Sequence, residues 1–334
     1  MTETKKKPLI MKQKPMFQVV FALVPLALAS IYFFGWKSLV VLVVVNIAGF
    51  LAEYLFARVY KTQVTSAVFV TNFLFALSLP PTIPLWIAVV GILFGVVFGK
   101  MAFGGFGRNV FNPALTGRAF IYVSFGAQMT AARSWVLPAS GGAGALGLWQ
   151  ADAVSTATPL VSLAQGSDVP LIKLLIGNIP GSFGETSAIL IILGGLYLML
   201  KKTANWRIVV SGVGTYFAVQ LVFWLANVDG AYDPLSGLLS GSLLYGMMFM
   251  ATDPISSSQT TDTGRVIYGV LIGVLTALIR TFSVWPEAIT FSILLANMFA
   301  PLLNYLIREA RTKKKARAAA EAAAGAAAGT EGKS

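Results

Sequence analysis

Runs of apolar residues too long for a soluble core recur along this chain, and they constrain its fold more than any other feature. A membrane-crossing helix needs about 20 consecutive apolar residues. Ten stretches approach that length: 16–34, 39–56, 65–79, 85–101, 111–125, 187–200, 206–226, 235–251, 266–282 and 288–307. The third, fifth, sixth and eighth are shorter and are expected to be tilted or broken. A soluble domain carries about 25% charged residues, whereas only 11% of these 334 positions are charged, 56% are apolar and the mean hydropathy is +0.75. Such a chain cannot cover itself with polar surface. The expectation is an all-α integral membrane protein of about ten transmembrane helices.

Lysines and arginines in short loops orient a protein of this kind, because they accumulate on the cytoplasmic side. With the N-terminus inside, twenty of the 25 Lys and Arg residues fall on the cytoplasmic side. Lys37, Arg133, Lys173 and Arg280 fall outside, and Arg118 lies within the fifth stretch. The net charge of +12 then reads as topology plus attraction to anionic lipid, and no nucleic-acid partner is expected. The first apolar run follows Lys5, Lys6, Lys7, Lys12 and Lys14 and has no small-residue cleavage site, which predicts an uncleaved signal anchor. Cysteine and histidine are absent. That removes disulfides, thiolate clusters, the usual zinc sites, haem ligation and histidine acid–base catalysis. Redox or metal chemistry must come from an organic cofactor, oxygen ligands or a partner subunit.

The chain divides into a basic cytoplasmic N-terminus (1–15), a first transmembrane repeat (16–126), an outer-side loop (127–186), a second transmembrane repeat (187–308) and a basic, Ala-rich cytoplasmic tail (309–334). Residues 318–334 are expected to fray. The division into repeats rests on Asn109-Val-Phe-Asn-Pro113-Ala-Leu115, which recurs as Asn297-Met-Phe-Ala-Pro301-Leu-Leu303. Upstream of the copies stand Gly91 with Gly95 and Gly269 with Gly273, each pair after a run ending in proline at Pro80-Pro81 or Pro254. The corresponding stretches run in opposite directions, which predicts two inverted five-helix repeats with broken or half helices around a central site. The glycine pairs read as close helix packing.

The outer loop is rich in Gly, Ser, Thr and Ala, and loops of this length in compact proteins are usually functional. It contains Asp152-Ala-Val-Ser155-Thr156-Ala157-Thr158-Pro159. Thr158 followed by Pro159 has the form of a helix N-cap and first helical residue. The segment also resembles the Asp-x-x-(Ser/Thr)-Gly-Ala-Thr flavinylation motif, departing from it at Thr156, where a second hydroxyl replaces glycine. Three further stretches resemble the same family: Gly107-Arg-Asn-Val-Phe-Asn-Pro-Ala-Leu-Thr-Gly-Arg-Ala-Phe120, Gly181-Ser-Phe-Gly-Glu-Thr-Ser187, and Met250-Ala-Thr-Asp-Pro254 followed by Tyr268-Gly-Val-Leu-Ile-Gly273. Together they resemble the family of the D subunit of the Rnf complex and the B subunit of the sodium-translocating NADH:quinone oxidoreductase, over about residues 15–310. The length resembles the Rnf subunit more.

That resemblance implies FMN esterified through its phosphate to Thr158 by a flavin transferase, with Asp152, Ser155, Thr156, Ala157 and Pro159 forming the surrounding motif. It implies a subunit of an ion-translocating oxidoreductase that is not catalytic alone, in a bacterial or archaeal cytoplasmic membrane, passing electrons between reduced ferredoxin and NAD+ with export of Na+ or H+. Iron–sulfur and flavin subunits would be its partners, and a second, non-covalent flavin such as riboflavin belongs to the expectation. Arg118 is a candidate partner for the flavin phosphate or for a carboxylate such as Glu53. Glu185 either faces the flavin or belongs to a turn opening the sixth stretch. No metal site is assigned, but Glu53 and Asp253 are hard oxygen ligands that suit a cation path. A solute channel or transporter on the same repeat, or a flavin-free scaffold subunit, remains the alternative.

Overall fold

A computed structural model describes residues 8–130, 135–138, 144–150, 157–283 and 288–331. The helices are α1 (Lys14–Phe34), α2 (Lys37–Val59), α3 (Ala67–Leu77), α4 (Leu85–Gly99), α5 (Pro113–Ser124), α6 (Gly126–Thr130), α7 (Pro159–Ala164), α8 (Leu171–Ile176), α9 (Ala188–Leu200), α10 (Trp206–Leu225), α11 (Pro234–Leu239), α12 (Leu243–Tyr245), α13 (Asp262–Phe282) and α14 (Ala288–Glu331). Six of them are long and apolar enough to cross a membrane: α1, α2, α4 with the 3-10 turn that extends it to Phe103, α10, α13 and α14. Large apolar side chains such as Phe21, Leu28, Leu55, Val210 and Leu225 face outward along them. The protein is a multi-pass integral membrane protein, since only lipid tolerates such an exposed surface.

The four short stretches are short for local reasons. Helix α3 has 11 residues and stops before Pro80, Pro81 and Pro84. Helix α5 has 12 residues and starts at Asn112-Pro113, where the Asn112 Oδ1 accepts from the Ala114 and Leu115 N–H groups. Helix α9 has 13 residues. The eighth stretch is broken at Ser240-Gly241, where Gly241 has φ +64°, and resumes as α12 and a π-helical turn over Gly246–Met250.

Glycines bring the helices close. A Cβ on Gly95 would lie 2.4 Å from the Pro113 carbonyl oxygen, and one on Gly117 would lie 2.5 Å from that of Gly91, so α4 and α5 meet backbone to backbone. Gly269 and Gly273 do the same work against a different neighbour, since added Cβ atoms would meet the Ile208 carbonyl at 2.6 Å and the Gly212 carbonyl at 2.5 Å on α10.

The two Asn–Pro copies also differ locally: Pro113 opens a helix and Pro301 lies inside α14. They nevertheless converge. With its amide oriented so that every contact runs donor to acceptor, Asn297 accepts from the Asn112 backbone N–H (3.2 Å) and donates to the Ser256 carbonyl (3.2 Å) and the Tyr268 hydroxyl (2.6 Å).

The tail departs from expectation. Residues 318–331 continue α14 rather than fray. Alanine is the strongest helix former, and the preceding turns carry i,i+4 pairs between Lys313 and Glu309 and between Arg317 and Glu321. A two-residue parallel pair, β1 (Ile10–Met11) with β2 (Val64–Thr65), ties the N-terminal segment to the α2–α3 connection.

Candidate functional site

Two cavities of different character lie toward opposite ends of α1, whose first residues line one of them and whose last turn packs against the wall of the other. The first holds Thr158. That residue caps α7 with extended backbone (φ −66°, ψ 155°), and Pro159 fills the first helical position. Its hydroxyl is half-buried and accepts from the Val161 N–H at 3.5 Å, which is long for such a bond. The cap leaves the hydroxyl free to act elsewhere. The cavity it lines has about 580 Å³, with Trp135, Leu160, Ile179, Ser182 and Glu185 among its walls. Ala157 is exposed and Pro159 buried, while Asp152, Ser155 and Thr156 lie outside the described residues.

Glu185 reaches this cavity because the 179–187 segment is bound to the end of α3: Phe183 N–H donates to Leu79 O at 3.1 Å and Gly184 N–H to Leu77 O at 2.7 Å. Gly184 is required at this approach, since a Cβ there would sit 2.7 Å from the Leu77 Cβ. Arg118 on α5 forms an ion pair with Glu185, and both side chains are almost wholly buried. Arg118 therefore balances Glu185 rather than Glu53, and neither charge is left uncompensated in the low-dielectric interior.

Beyond Leu160 and Val161, on the other side of α7, lies a second pocket of about 610 Å³ lined by Gln165, Tyr232 and Arg280. Sequence reasoning counted Arg280 only as an outer-side charge, yet it is 7% exposed. Its Nη1 donates to the Gly237 carbonyl (2.7 Å) and the Tyr216 hydroxyl (3.1 Å), and its Nη2 donates to the Ser240 carbonyl (3.1 Å). These carbonyls belong to the C-terminal turn of α11, where a cation is favoured. Among the described residues no carboxylate pairs with it. The Tyr232 hydroxyl beside it is held neutral, because burial pushes its pKa far above the ordinary phenol value.

At the opposite end, Glu53 accepts from the Thr65 N–H (3.0 Å), the Thr65 hydroxyl (2.8 Å) and the Lys100 ammonium (2.6 Å). Lys100 also donates to the Thr65 hydroxyl at 3.0 Å. The sequence reading treated Lys100 as a loop charge; its place at the end of a strongly apolar run was the available sign that it would be drawn inside. Lys100, Asp253, Asn109 and Asn112 line a cavity of about 730 Å³ with largely apolar walls. Asp253 accepts from the Ile255 and Ser256 N–H groups and from the Ser256 hydroxyl at 2.8 Å, so most of its capacity is spent on its own turn. Lys100 pairs with Glu53 and shares the cavity lining with Asp253. The candidate residues thus fall into two clusters: Thr158, Glu185 and Arg118 at one end, Glu53 and Asp253 at the other.

A family model described as the NQR2, RnfD, RnfE family matches residues 6–313. The B subunit of the Na(+)-translocating NADH-quinone reductase of Klebsiella pneumoniae (strain 342) is 42% identical over 298 residues, which cover 84% of this chain and 71% of that protein. The same subunit of Ectopseudomonas mendocina (strain ymp) is 43% identical over 275 residues, covering 80% and 66%. That of Yersinia pestis is 39% identical over 295 residues, covering 84% and 71%. The chain spans between 66% and 71% of the length of these relatives.

Proposed function

The chain belongs to the NQR2, RnfD, RnfE family, and from that premise we propose that it is a membrane electron-transfer subunit carrying FMN as a phosphoester on Thr158, within an ion-translocating oxidoreductase complex. The observation that carries the reading is the state of Thr158: a half-buried hydroxyl whose one described hydrogen bond is long, at the mouth of a cavity of about 580 Å³. When bound, the isoalloxazine supplies electron acceptance and donation, which no side chain of this cysteine-free, histidine-free chain offers. The protein's own part is to fix the ester, to shield it with Trp135 and Leu160, and to keep the Glu185 charge balanced by Arg118. Asp152, Ser155, Thr156 and Ala157 would present the acceptor to the flavin transferase.

The cavity at the opposite end, with Lys100, Asn109, Asn112 and Asp253 among its polar groups, suits a second, non-covalent flavin such as riboflavin: its volume is larger and its walls are mostly apolar. In this reading Thr158 lies on the outer side and the termini are cytoplasmic, supported by the one-sided distribution of Lys and Arg. The names of the relatives favour Na+ as the exported ion and the NADH-quinone reductase type of complex. The ferredoxin:NAD+ type expected from the motifs would use the same membrane chemistry. Iron–sulfur and nicotinamide chemistry resides on the partner subunits in either case.

The test is the intact mass of the protein purified from its host, measured alongside a Thr158→Ala variant. The wild type should carry the mass of one FMN less one water, and the variant should lack it. An unmodified wild-type chain, from cells with an active transferase, would remove the covalent flavin from the proposal.

A further inference from the structure

Helix α7 stands between two cavities that share Leu160 and Val161 as walls, and Thr158, at its N-terminus, lines the first of them. They differ in charge. In the one that Thr158 lines, the charged group among the described residues is Glu185, already neutralised by Arg118. The other contains the Arg280 guanidinium, which has hydrogen-bond acceptors around it but no counter-ion among the described residues. A buried cation without an anion is costly, and such groups are retained where an anionic partner arrives.

Two donors remain unused beside that pocket. The Arg280 Nε and the Tyr232 hydroxyl are buried with no hydrogen-bond partner among the described residues, and their residues are 7% and 6% exposed. Buried donors are almost always satisfied, so a pair of orphans on one wall points to an acceptor that binds there. The acceptor must offer oxygen or nitrogen lone pairs and carry, or acquire, negative charge.

We propose that the pocket between α7, Tyr232 and Arg280 receives the pyrimidinedione edge of the flavin, with the Arg280 Nε–H and the Tyr232 hydroxyl donating to it. This rests on the attachment at Thr158. Each electron added to the ring brings one negative charge, which gathers on that edge, and a fixed guanidinium beside it favours the reduced form. The reach is adequate: Val161 to Gln165 follow Thr158 by three to seven residues, roughly 4 to 10 Å along a helix at about 1.5 Å per residue, a distance comparable with the ribityl chain between phosphate and ring. The Gly241 break leaves room for this arrangement, because a Cβ there would lie 2.6 Å from the Leu160 Cδ1 and 3.3 Å from the Arg280 Nη2. Arg280 and Tyr232 contact the ring directly and set its potential.

The experiment is a redox titration of the full chain, coproduced with a flavin transferase, comparing wild type, Arg280→Gln and Tyr232→Phe, with Thr158→Ala as background. Flavin attachment is read separately by fluorescence on a denaturing gel. All chains except Thr158→Ala should retain flavin. In Arg280→Gln the ratio of reduced to oxidised flavin at a fixed poise should fall about tenfold, equivalent to about 59 mV for a one-electron couple. In Tyr232→Phe it should fall about threefold. Retained flavin with unchanged potentials in both variants would overturn the pocket and leave the Thr158 attachment standing. A wild-type chain without flavin would overturn both. If Arg280→Gln does not accumulate, Tyr232→Phe decides, since it removes a hydroxyl without a hydrogen-bond partner among the described residues and leaves the ring in place.

Discussion

Arg118 and Arg280 are both buried guanidiniums flanking the Thr158 segment, and they are neutralised in different ways. Arg118 meets a full carboxylate, Glu185, which comes from a segment 67 residues away. Among the described residues, Arg280 meets only dipoles: two carbonyls at the end of α11, the Tyr216 hydroxyl and the face of the Tyr216 ring at 5.3 Å. The first arrangement is closed. It fixes α5 against the 179–187 segment and leaves no net charge for a ligand. The second is open, since dipoles hold the cation in place without cancelling its charge. In a low-dielectric interior that residual charge is the larger resource for binding or for redox tuning.

The comparison predicts a ranking of damage. Glu185→Gln strands Arg118 as a buried unpaired charge and should cost about 3–5 kcal/mol, read as lost thermal stability of the detergent-solubilised protein. The double variant Arg118→Met with Glu185→Leu should recover most of that, because both charges leave together. A single variant as stable as wild type would show that the pair is not the lock described. Arg280→Met should cost less, about 1–3 kcal/mol, since it leaves neutral acceptors unsatisfied rather than an ion. Equal costs for the two would erase the distinction between closed and open arrangements. Thr158→Ala comes last, at about 0.5–1 kcal/mol for loss of a long cap bond. If its melting temperature fell as far as that of Glu185→Gln, a missing flavin in that variant would report misfolding rather than a lost acceptor.

Much of this was legible in the residues themselves. Each of the ten apolar stretches contains helix, six of the helices are long and apolar enough to cross a membrane, and of the four flagged as short three are cut by prolines, a glycine break or an Asn cap. Thr158-Pro159 capped a helix as its pattern implied. Less legible was the fate of the internal repeat. The glycine pairs both serve close packing, but on α5 in one half and on α10 in the other, and the two prolines open one helix and sit within another. Sequence similarity between segments records the local need for a small residue or an Asn, not which neighbour satisfies it. The tail was misjudged because its alanines were weighed as low complexity rather than as helix formers with supporting ion pairs.

By itself the sequence determined what depends on neighbours along the chain. Helix positions, their breaks and caps, the membrane as solvent and the absence of thiol and imidazole chemistry all follow from residue type, run length and adjacent propensities. Tertiary structure alone decided which charges meet: Glu53 with Lys100 across 47 residues, Arg118 with Glu185 across 67, and Arg280 with no carboxylate among the described residues. Each of these ion pairs is a few ångströms long and joins residues far apart in the chain. Its partner is set by which helix faces pack together and in what register, and those follow from the summed fit of many weak contacts rather than from any short segment.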